Sequence, residues 1–141
     1  FQFENKSYTA NSGESIASAL ISNKIYVLNE KNSDNFEIIT NTIIAPGIFE
    51  IPVIISKNVD EFDAFIALGC VIKGKTAHFD LITQAVTRAI MDLSIKYKKP
   101  IGNGIIATLN MKQAMERSDS KKKNKGKEAA KAVISVLENF K

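Results

Sequence analysis

Short apolar runs alternate with longer amphipathic stripes along this chain of 141 residues. Three runs, at 36–45, 64–71 and 101–108, are rich in β-branched residues or almost wholly apolar, which is typical of strands in a buried sheet. The stripes at 79–93 and 129–140 repeat their apolar residues at the i, i+3, i+4 spacing of an amphipathic helix. Because strands that alternate with helices form parallel sheets, this order predicts an α/β fold with a central parallel sheet and helices on both faces.

The remaining segments predict further elements. The first 13 residues alternate loosely between polar and apolar side chains, as a first strand does. A short helix is predicted at 48–57, after the Pro46-Gly47 turn, and residues 118–127 form a predicted polar loop before the last helix. No internal repeat or linker divides the sequence, so we predict one domain over residues 1–141. A first helix is predicted from apolar residues near helical spacing, namely Ile16, Ala19, Leu20 and Ile25.

The composition excludes several classes of protein. A single cysteine cannot form an internal disulfide, and one cysteine with one histidine cannot supply the four ligands of a structural zinc site, so we expect no metal. The longest apolar runs are shorter than the ~20 residues that span a bilayer. No basic leader followed by an apolar run opens the sequence, and we therefore expect a cytoplasmic protein. The net charge of +4 permits an anionic ligand or partner without identifying one.

The first candidate site segment is 45–50, which follows the first of the three apolar runs. In an open parallel sheet, ligands bind beyond the carboxyl ends of the strands. Gly47 lets the backbone approach a flat ligand, and the Glu50 carboxylate can accept hydrogen bonds from ring or amine N–H groups. The same residues also fit a simple Pro-Gly turn followed by a solvated glutamate at a helix start. The segment alone does not decide between the two interpretations.

The second candidate segment, 69–80, runs from the second strand through a glycine-bearing loop to a helix start, where the only histidine, His78, lies. The N–H groups of a helix N-terminus attract phosphate and disfavour an imidazolium. A neutral His78 that takes and gives protons therefore suits acid–base catalysis on a phosphorylated substrate. Two alternatives stay open, a surface histidine and a nucleotide P-loop, because residues 69–76 match GxxxxGK[ST]. The β-branched residues inside that match favour a strand over a phosphate-wrapping loop.

The third candidate segment, 116–126, combines Arg117 with a lysine-rich loop. Arginine grips phosphate through two parallel N–H donors, so the segment is a candidate anion clamp. It also fits a solvated charged loop or a diffuse nucleic-acid surface. No aromatic residue lies among the lysines, which counts against a platform for stacked bases.

In their order and spacing, the three segments resemble the lumazine synthase (6,7-dimethyl-8-ribityllumazine synthase) family of riboflavin biosynthesis. The family pattern PGxxEIP is present at 46–52, LGxVIxGxTxHxD at 68–80, and ERxxxKxxNKGxEAA at 116–130. Three motifs with matching separations make the resemblance specific over residues 44–140, about two-thirds of the chain.

The resemblance implies a flavodoxin-like three-layer sandwich and a transferase that binds no nucleoside triphosphate. The implied reaction condenses 5-amino-6-(D-ribitylamino)uracil with 3,4-dihydroxy-2-butanone 4-phosphate and releases phosphate and water. The implied catalytic residue is His78, which transfers protons, and no metal or redox cofactor is needed. The phosphate is implied to lie at Arg117, with Lys75, Thr76 and Lys125 nearby. The pyrimidine and ribityl pocket is implied to be lined by Ile48, Phe49, Glu50, Cys70, Val71 and Ile72.

Two departures from the family pattern distinguish this sequence. The aromatic residue that stacks on the pyrimidine, often within an RFN-like stretch, has no counterpart that aligns in residues 1–20. Asn103 occupies a position that is often Phe and that a neighbouring subunit contributes to the pocket, and asparagine can hydrogen-bond the uracil edge instead of stacking. These departures leave an alternative, a paralogue of the same fold that binds flavin or lumazine without turnover. The implied partners are small-molecule substrates and further copies of the chain, as a pentamer or larger shell, with neither nucleic acid nor membrane.

Overall fold

The structure, a computed structural model, describes residues 2–3, 6–7, 23–28 and 41–139. The strands of this part are β1 (Gln2–Phe3), β2 (Lys6–Ser7), β3 (Asn23–Leu28), β4 (Asn41–Ala45), β5 (Ala64–Ile72) and β6 (Ile101–Thr108). A 3-10 helix at Ile48–Glu50 leads into the first α-helix. The α-helices are α1 (Ile51–Asn58), α2 (His78–Tyr97), α3 (Met111–Ser118) and α4 (Lys125–Asn139).

Four of the strands form one sheet in the order β4-β3-β5-β6, and β1 pairs separately with β2. β5 and β6 are parallel, whereas β3 is antiparallel to both β4 and β5. It follows that β4, β5 and β6 run in the same direction and end at the same edge of the sheet. We call this the carboxyl edge, defined by Ala45, Ile72 and Thr108. The predicted α/β class is confirmed, and the parallel pairing of its sheet is the one between β5 and β6.

Helices cover both faces of the sheet, because the side chains of β5 alternate between two cores. Phe65 and Ala67 are fully buried on the face that α1 and α2 cover, and Ala64 and Ile66 are buried on the face that α4 covers. A strand that buries both faces must be apolar at every position, as the sequence from 64 to 67 is. The three-layer arrangement predicted from the sequence is confirmed. The helical residues in these cores are Ile51, Ile55, Val86 and Ile90 on one face, and Ala129 and Val133 on the other.

The start of α1 and the end of α2 have residues typical of helix termini. Pro52 lies in the first turn of α1, where a missing N–H breaks no helical bond. α2 ends at Lys98, which adopts a left-handed conformation with φ of 54° and donates its N–H to carbonyls of the last turn. The stop predicted from Lys98, Lys99 and Pro100 is therefore confirmed. Lys99 also donates from Nζ to two backbone carbonyls beyond α1, at 2.6 and 2.8 Å, which ties the end of α2 to the end of α1.

α4 packs unusually close to β6 because two strand residues on that face are glycines. A Cβ added at Gly102 would lie 2.6 Å from the carbonyl oxygen of Ala129, and one added at Gly104 would lie 2.5 Å from a methyl carbon of Leu68. Both distances are shorter than any van der Waals contact, so a side chain at either position forces a neighbour to move. The close backbone approach expected from these glycines is confirmed.

Several predictions for the N-terminal third differ from the structure. Ile25, predicted in a first helix, lies in β3, whose sequence NKIYVL has the β-branched and aromatic residues that favour strands. The other residues of that predicted helix lie outside the described residues, as do 36–40 of the predicted strand 36–45. In place of one strand over residues 1–13, the described residues form the short antiparallel pair of β1 and β2.

One helix was not predicted, and one loop is shorter than predicted. Residues 111–118 form α3, whose apolar residues Met111, Ala114 and Met115 have helical spacing but extend over little more than one turn, too short a stripe to identify a helix in a sequence. Its N-cap is Asn110, whose side chain accepts a hydrogen bond from the N–H of Gln113 at 3.0 Å. The loop predicted at 118–127 covers only 119–124, because α4 begins at Lys125.

Candidate active site

The segment after β4 brings Phe49 and Glu50 to the carboxyl edge. Gly47 is extended, and the 3-10 helix follows it directly. Phe49 is 58% exposed, whereas Ile48 is buried and packs into the core under α1 and α2. A Cβ added at Gly47 would lie 2.7 Å from Oε2 of Glu50, so the glycine leaves room for this carboxylate against the backbone. The segment thus offers the apolar ring of Phe49 and, at the next residue, the hydrogen-bond acceptor of the Glu50 carboxylate.

The end of β5 supplies Cys70, Val71 and Ile72, which are half-buried. The residues from Gly69 to Ile72 pair with β6 in the parallel ladder. A P-loop needs a free backbone wrap at this point, so the paired strand rules out that alternative. Burial raises the pKa of the Cys70 thiol, which therefore stays protonated and behaves as a small apolar wall residue.

His78 is the first residue of α2, beyond an exposed loop that follows β5. Lys73 begins this loop and donates its backbone N–H to the carbonyl of Thr108 at 2.8 Å, which continues the pairing with β6. Lys75, Thr76 and His78 are all exposed. An exposed imidazole at the start of a helix, beside a strand end, can exchange protons with a ligand bound over the edge.

Arg117 lies in the last turn of α3, which packs against β6 and β5. The residue is half-buried, and its Nη1 donates to the carbonyl of Gln113 at 3.3 Å. A guanidinium carries five N–H donors, so the bond to Gln113 fixes the side chain and leaves donors for an anion. This placement fits the predicted anion clamp.

The lysine-rich loop before α4 is organised by ion pairs. The Nζ of Lys123 lies 3.2 Å from Oε1 of Glu116, and their hydrogen bond lowers the pKa of this carboxyl. Lys122 pairs with Asp119 at 3.9 Å, and Lys125 pairs with Glu128. Neighbouring carboxylates thus offset much of the positive charge, which favours an ordered loop over a diffuse nucleic-acid surface.

Asn124 orients the start of α4. It has a positive φ of 34°, and its side chain accepts a hydrogen bond from the N–H of Lys127 at 3.1 Å. Asparagine tolerates the left-handed region better than other residues that have a side chain, and it caps helices well. The cap fixes the first turn of α4, in which Lys125 is the first residue.

The predicted site residues after β4 and at the end of β5 lie at or follow strand ends of the carboxyl edge, and Arg117 and Lys125 lie on the helices that follow β6, whereas Asn103 lies within a strand. That residue lies in the middle of β6, opposite Ala67 in the ladder, and is exposed. Its Oδ1 accepts the backbone N–H of Ile105 at 3.1 Å. Sequence reasoning also missed the pairing of Lys73 with Asp80, whose spacing of seven crosses from a loop into a helix and matches no helical pattern.

Two further observations on the described residues concern metal ions and membranes. Over residues 41–139 and the short described strands before them, no three His, Cys, Asp or Glu side chains are grouped so as to hold a metal ion. None of the helices in this same part of the chain is long and apolar enough to cross a bilayer.

An α/β sandwich with a histidine, an arginine and lysines on the segments that follow its parallel strands has the residue types that an enzyme for a phosphorylated small molecule requires. The family model for 6,7-dimethyl-8-ribityllumazine synthase matches residues 9–141. The chain belongs to this family. The match also covers most of the N-terminal segment in which no aromatic motif aligns.

Curated relatives agree with the family model. A 6,7-dimethyl-8-ribityllumazine synthase of Aliarcobacter butzleri is 40% identical over 77% of this chain and 69% of its own length. Proteins of the same name from Bartonella tribocorum and Agrobacterium fabrum are 38% and 37% identical, over 88% and 89% of this chain and 81% and 86% of their own lengths. The predicted family is confirmed, and with it the predicted transferase of riboflavin biosynthesis. The alternative of a non-catalytic paralogue has no support from these relatives.

Proposed function

We propose that this chain, as a single domain, condenses 5-amino-6-(D-ribitylamino)uracil with 3,4-dihydroxy-2-butanone 4-phosphate at the carboxyl edge. The observation that supports the proposal is the shared direction of β4, β5 and β6, because the chain then leaves all three strands at one edge of the sheet and the three motif segments follow those exits. Family membership supplies the reaction, and the relatives named above carry it in their names.

Arg117 and its neighbours hold the substrate phosphate in this proposal. The half-buried guanidinium is oriented by its bond to Gln113, and a phosphate can take two of its other donors in parallel. Lys75 and Thr76 of the exposed loop, with Lys125 at the start of α4, complete the cationic end. Phosphate leaves during the reaction, and these cations stabilise the charge that develops on it.

The pyrimidine lies at the other end, among Phe49, Glu50 and the end of β5. The exposed ring of Phe49 offers an apolar surface, and the Glu50 carboxylate accepts hydrogen bonds from ring or amine N–H groups. Val71 and Ile72 add half-buried apolar walls, while Ile48 supports the segment from the core. Much of the acceleration then comes from holding the two reactants together.

His78 moves the protons. The 5-amino group attacks the ketone carbon, water leaves to form an imine, phosphate is eliminated, and the ribitylamino nitrogen closes the ring with loss of a second water. Each step transfers a proton to or from nitrogen or oxygen, and an imidazole can both accept and return it because one ring nitrogen accepts while the other donates. The protein needs no metal or redox cofactor for these steps.

We also propose that the enzyme is cytoplasmic and self-associates, as a pentamer or a larger shell. Asn103 supports this part, because it is exposed in the middle of β6 and lies away from the edge that it is expected to serve. Exposed apolar side chains on several elements, namely Phe49, Val53, Leu109 and Met111, offer surface for contact between copies. Sedimentation of the purified protein gives the number of chains, and a monomer would refute this part of the proposal.

The activity is tested with both substrates, by following the lumazine chromophore and the released phosphate. A rate no higher than that of the spontaneous condensation would refute the proposal. We expect H78A to lower kcat about 100-fold, the lower end of what positioned proton transfer contributes. We expect R117A to raise the KM for the butanone phosphate about tenfold or more, because charge-assisted bonds to phosphate are lost. R88A, which removes an exposed arginine from the middle of α2, serves as the matched control.

A further inference from the structure

Lys73 follows the last residue of β5 and begins the loop that contains Lys75 and Thr76 and leads to His78. Its Nζ is bonded to both carboxylate oxygens of Asp80, at 3.1 and 3.3 Å. The same Nζ lies 5.6 Å from the centroid of the Phe79 ring, within the range of a cation–π interaction. The ammonium group therefore contacts the two residues that follow His78 in the first turn of α2.

These contacts join the first residue of the loop, Lys73, to Asp80 in the first turn of the helix that follows it. At one end, the backbone of Lys73 is fixed to β6 by the bond to the carbonyl of Thr108. At the other, Asp80 is held by the backbone of α2, where its N–H donates to the carbonyl of Ala77 at 3.1 Å. Residues 74–78 between these ends are exposed, and a Cβ at Gly74 would meet none of the described residues within 4 Å. The Lys73 side chain thus spans an otherwise open loop.

We propose that Lys73 and Asp80 are positioning residues, which hold the loop and the first turn of α2 so that His78 faces the reacting groups. The inference rests on the proposed function, in which His78 transfers protons. Neither residue touches the substrates in this proposal; both act through the imidazole that they orient.

The expected effect is small, because the pair is exposed. The side chains of Lys73 and Asp80 are 41% and 49% exposed, and ion pairs of this kind contribute little to global stability. Loss of the pair therefore leaves the fold and assembly intact and widens the range of positions that His78 samples. We expect about a fivefold fall in kcat, which is about 1 kcal/mol in the activation free energy.

The experiment compares D80N, K73M and the double variant K73M/D80N with the wild type. We expect each single variant to lower kcat about fivefold at an almost unchanged KM for both substrates, and the double variant to be no slower than either single one. K73R should retain the wild-type kcat, because a guanidinium bonds a carboxylate through two parallel donors. D92N, which removes an exposed carboxylate from the far half of α2, is the matched control and should leave kcat unchanged.

Nuclear magnetic resonance gives a readout that does not depend on turnover, because the chain has one histidine and its imidazole signals need no assignment. In protein with isotope-labelled histidine, we expect D80N and K73M to shift and broaden these signals, and K73R and D92N to leave them in place. If the wild type forms no lumazine and the signals still respond, the proposed function fails and the positioning role stands. If the wild type is active and D80N keeps both its kcat and its imidazole signals, the positioning role is refuted.

Discussion

Replacement of Gly102 by alanine tests how closely α4 is pressed against the sheet. The added Cβ would lie 2.6 Å from the carbonyl oxygen of Ala129 and 2.8 Å from a methyl carbon of Val133. Because the nearer atom belongs to the backbone of α4, no side-chain rotation can relieve the contact. The helix must instead move out by about 0.8 Å to reach an ordinary contact of 3.4 Å.

The cost follows from two opposing effects. Overpacking of a well-packed core typically destabilises a protein by about 1–3 kcal/mol, and a clash with backbone belongs at the upper end. Alanine recovers about 0.5–1 kcal/mol, because glycine in a strand loses more chain entropy on folding. We therefore expect G102A to lower the free energy of unfolding by about 2 kcal/mol, which lowers the Tm by about 8 °C for a chain of this length.

Thermal unfolding followed by far-ultraviolet circular dichroism measures this difference, with all variants at one protein concentration because self-association, where it occurs, makes the Tm concentration-dependent. G74A is the matched control, since the same change in the exposed loop meets open space and should leave the Tm unchanged or slightly raised. A Tm for G102A within about 2 °C of the wild type would refute the close packing of α4 on β6.

Three further predictions concern single polar groups. K99M should lower the free energy of unfolding by about 2 kcal/mol in denaturant titration, because two backbone carbonyls lose a charged donor. An unchanged midpoint of the denaturant titration would show that water replaces the lysine at these carbonyls. N124A should lower the free energy of unfolding by about 1–2 kcal/mol, because it removes the α4 cap and puts alanine at a positive φ. N124G should lower it less, because glycine adopts a positive φ without strain, and equal losses for the two variants would contradict the positive φ. Alkylation of Cys70 should be slower than in the unfolded protein across the alkaline range, because burial raises the thiol pKa and lowers the thiolate fraction at each pH; equal rates would refute this.

The elements that could be predicted from the sequence are those whose burial imposes a repeating pattern. β5 and β6 are predicted almost to the residue. β5 is buried on both faces from 64 to 67, where a polar side chain has no place, whereas β6 buries every second residue and exposes Asn103. α2 is predicted by its stripe and by the cations and proline at its end. α3 could not be predicted in this way, because only Ala114 and Ser118 of its eight residues are buried, and two positions define no periodicity.

The candidate site residues likewise differ in how far the sequence predicts them. His78 and Arg117 are singled out by residue type and motif, without knowledge of the fold. The orientation of Arg117 depends on α3, which was not predicted, and the loop that carries His78 is closed by a contact between Lys73 and Asp80. Contacts of this kind join residues that no local pattern relates, so they require the path of the chain in space.

Gly102 links the position of α4 to that of β6. α4 begins at Lys125 and meets β6 at Ala129, four residues or about 6 Å further along its axis. A bulkier residue at Gly102 pushes the helix outward, and Lys125 moves with it. In the proposed function Lys125 belongs to the phosphate end of the site, so a substitution at Gly102 would change the space for the anion without altering a side chain that binds it.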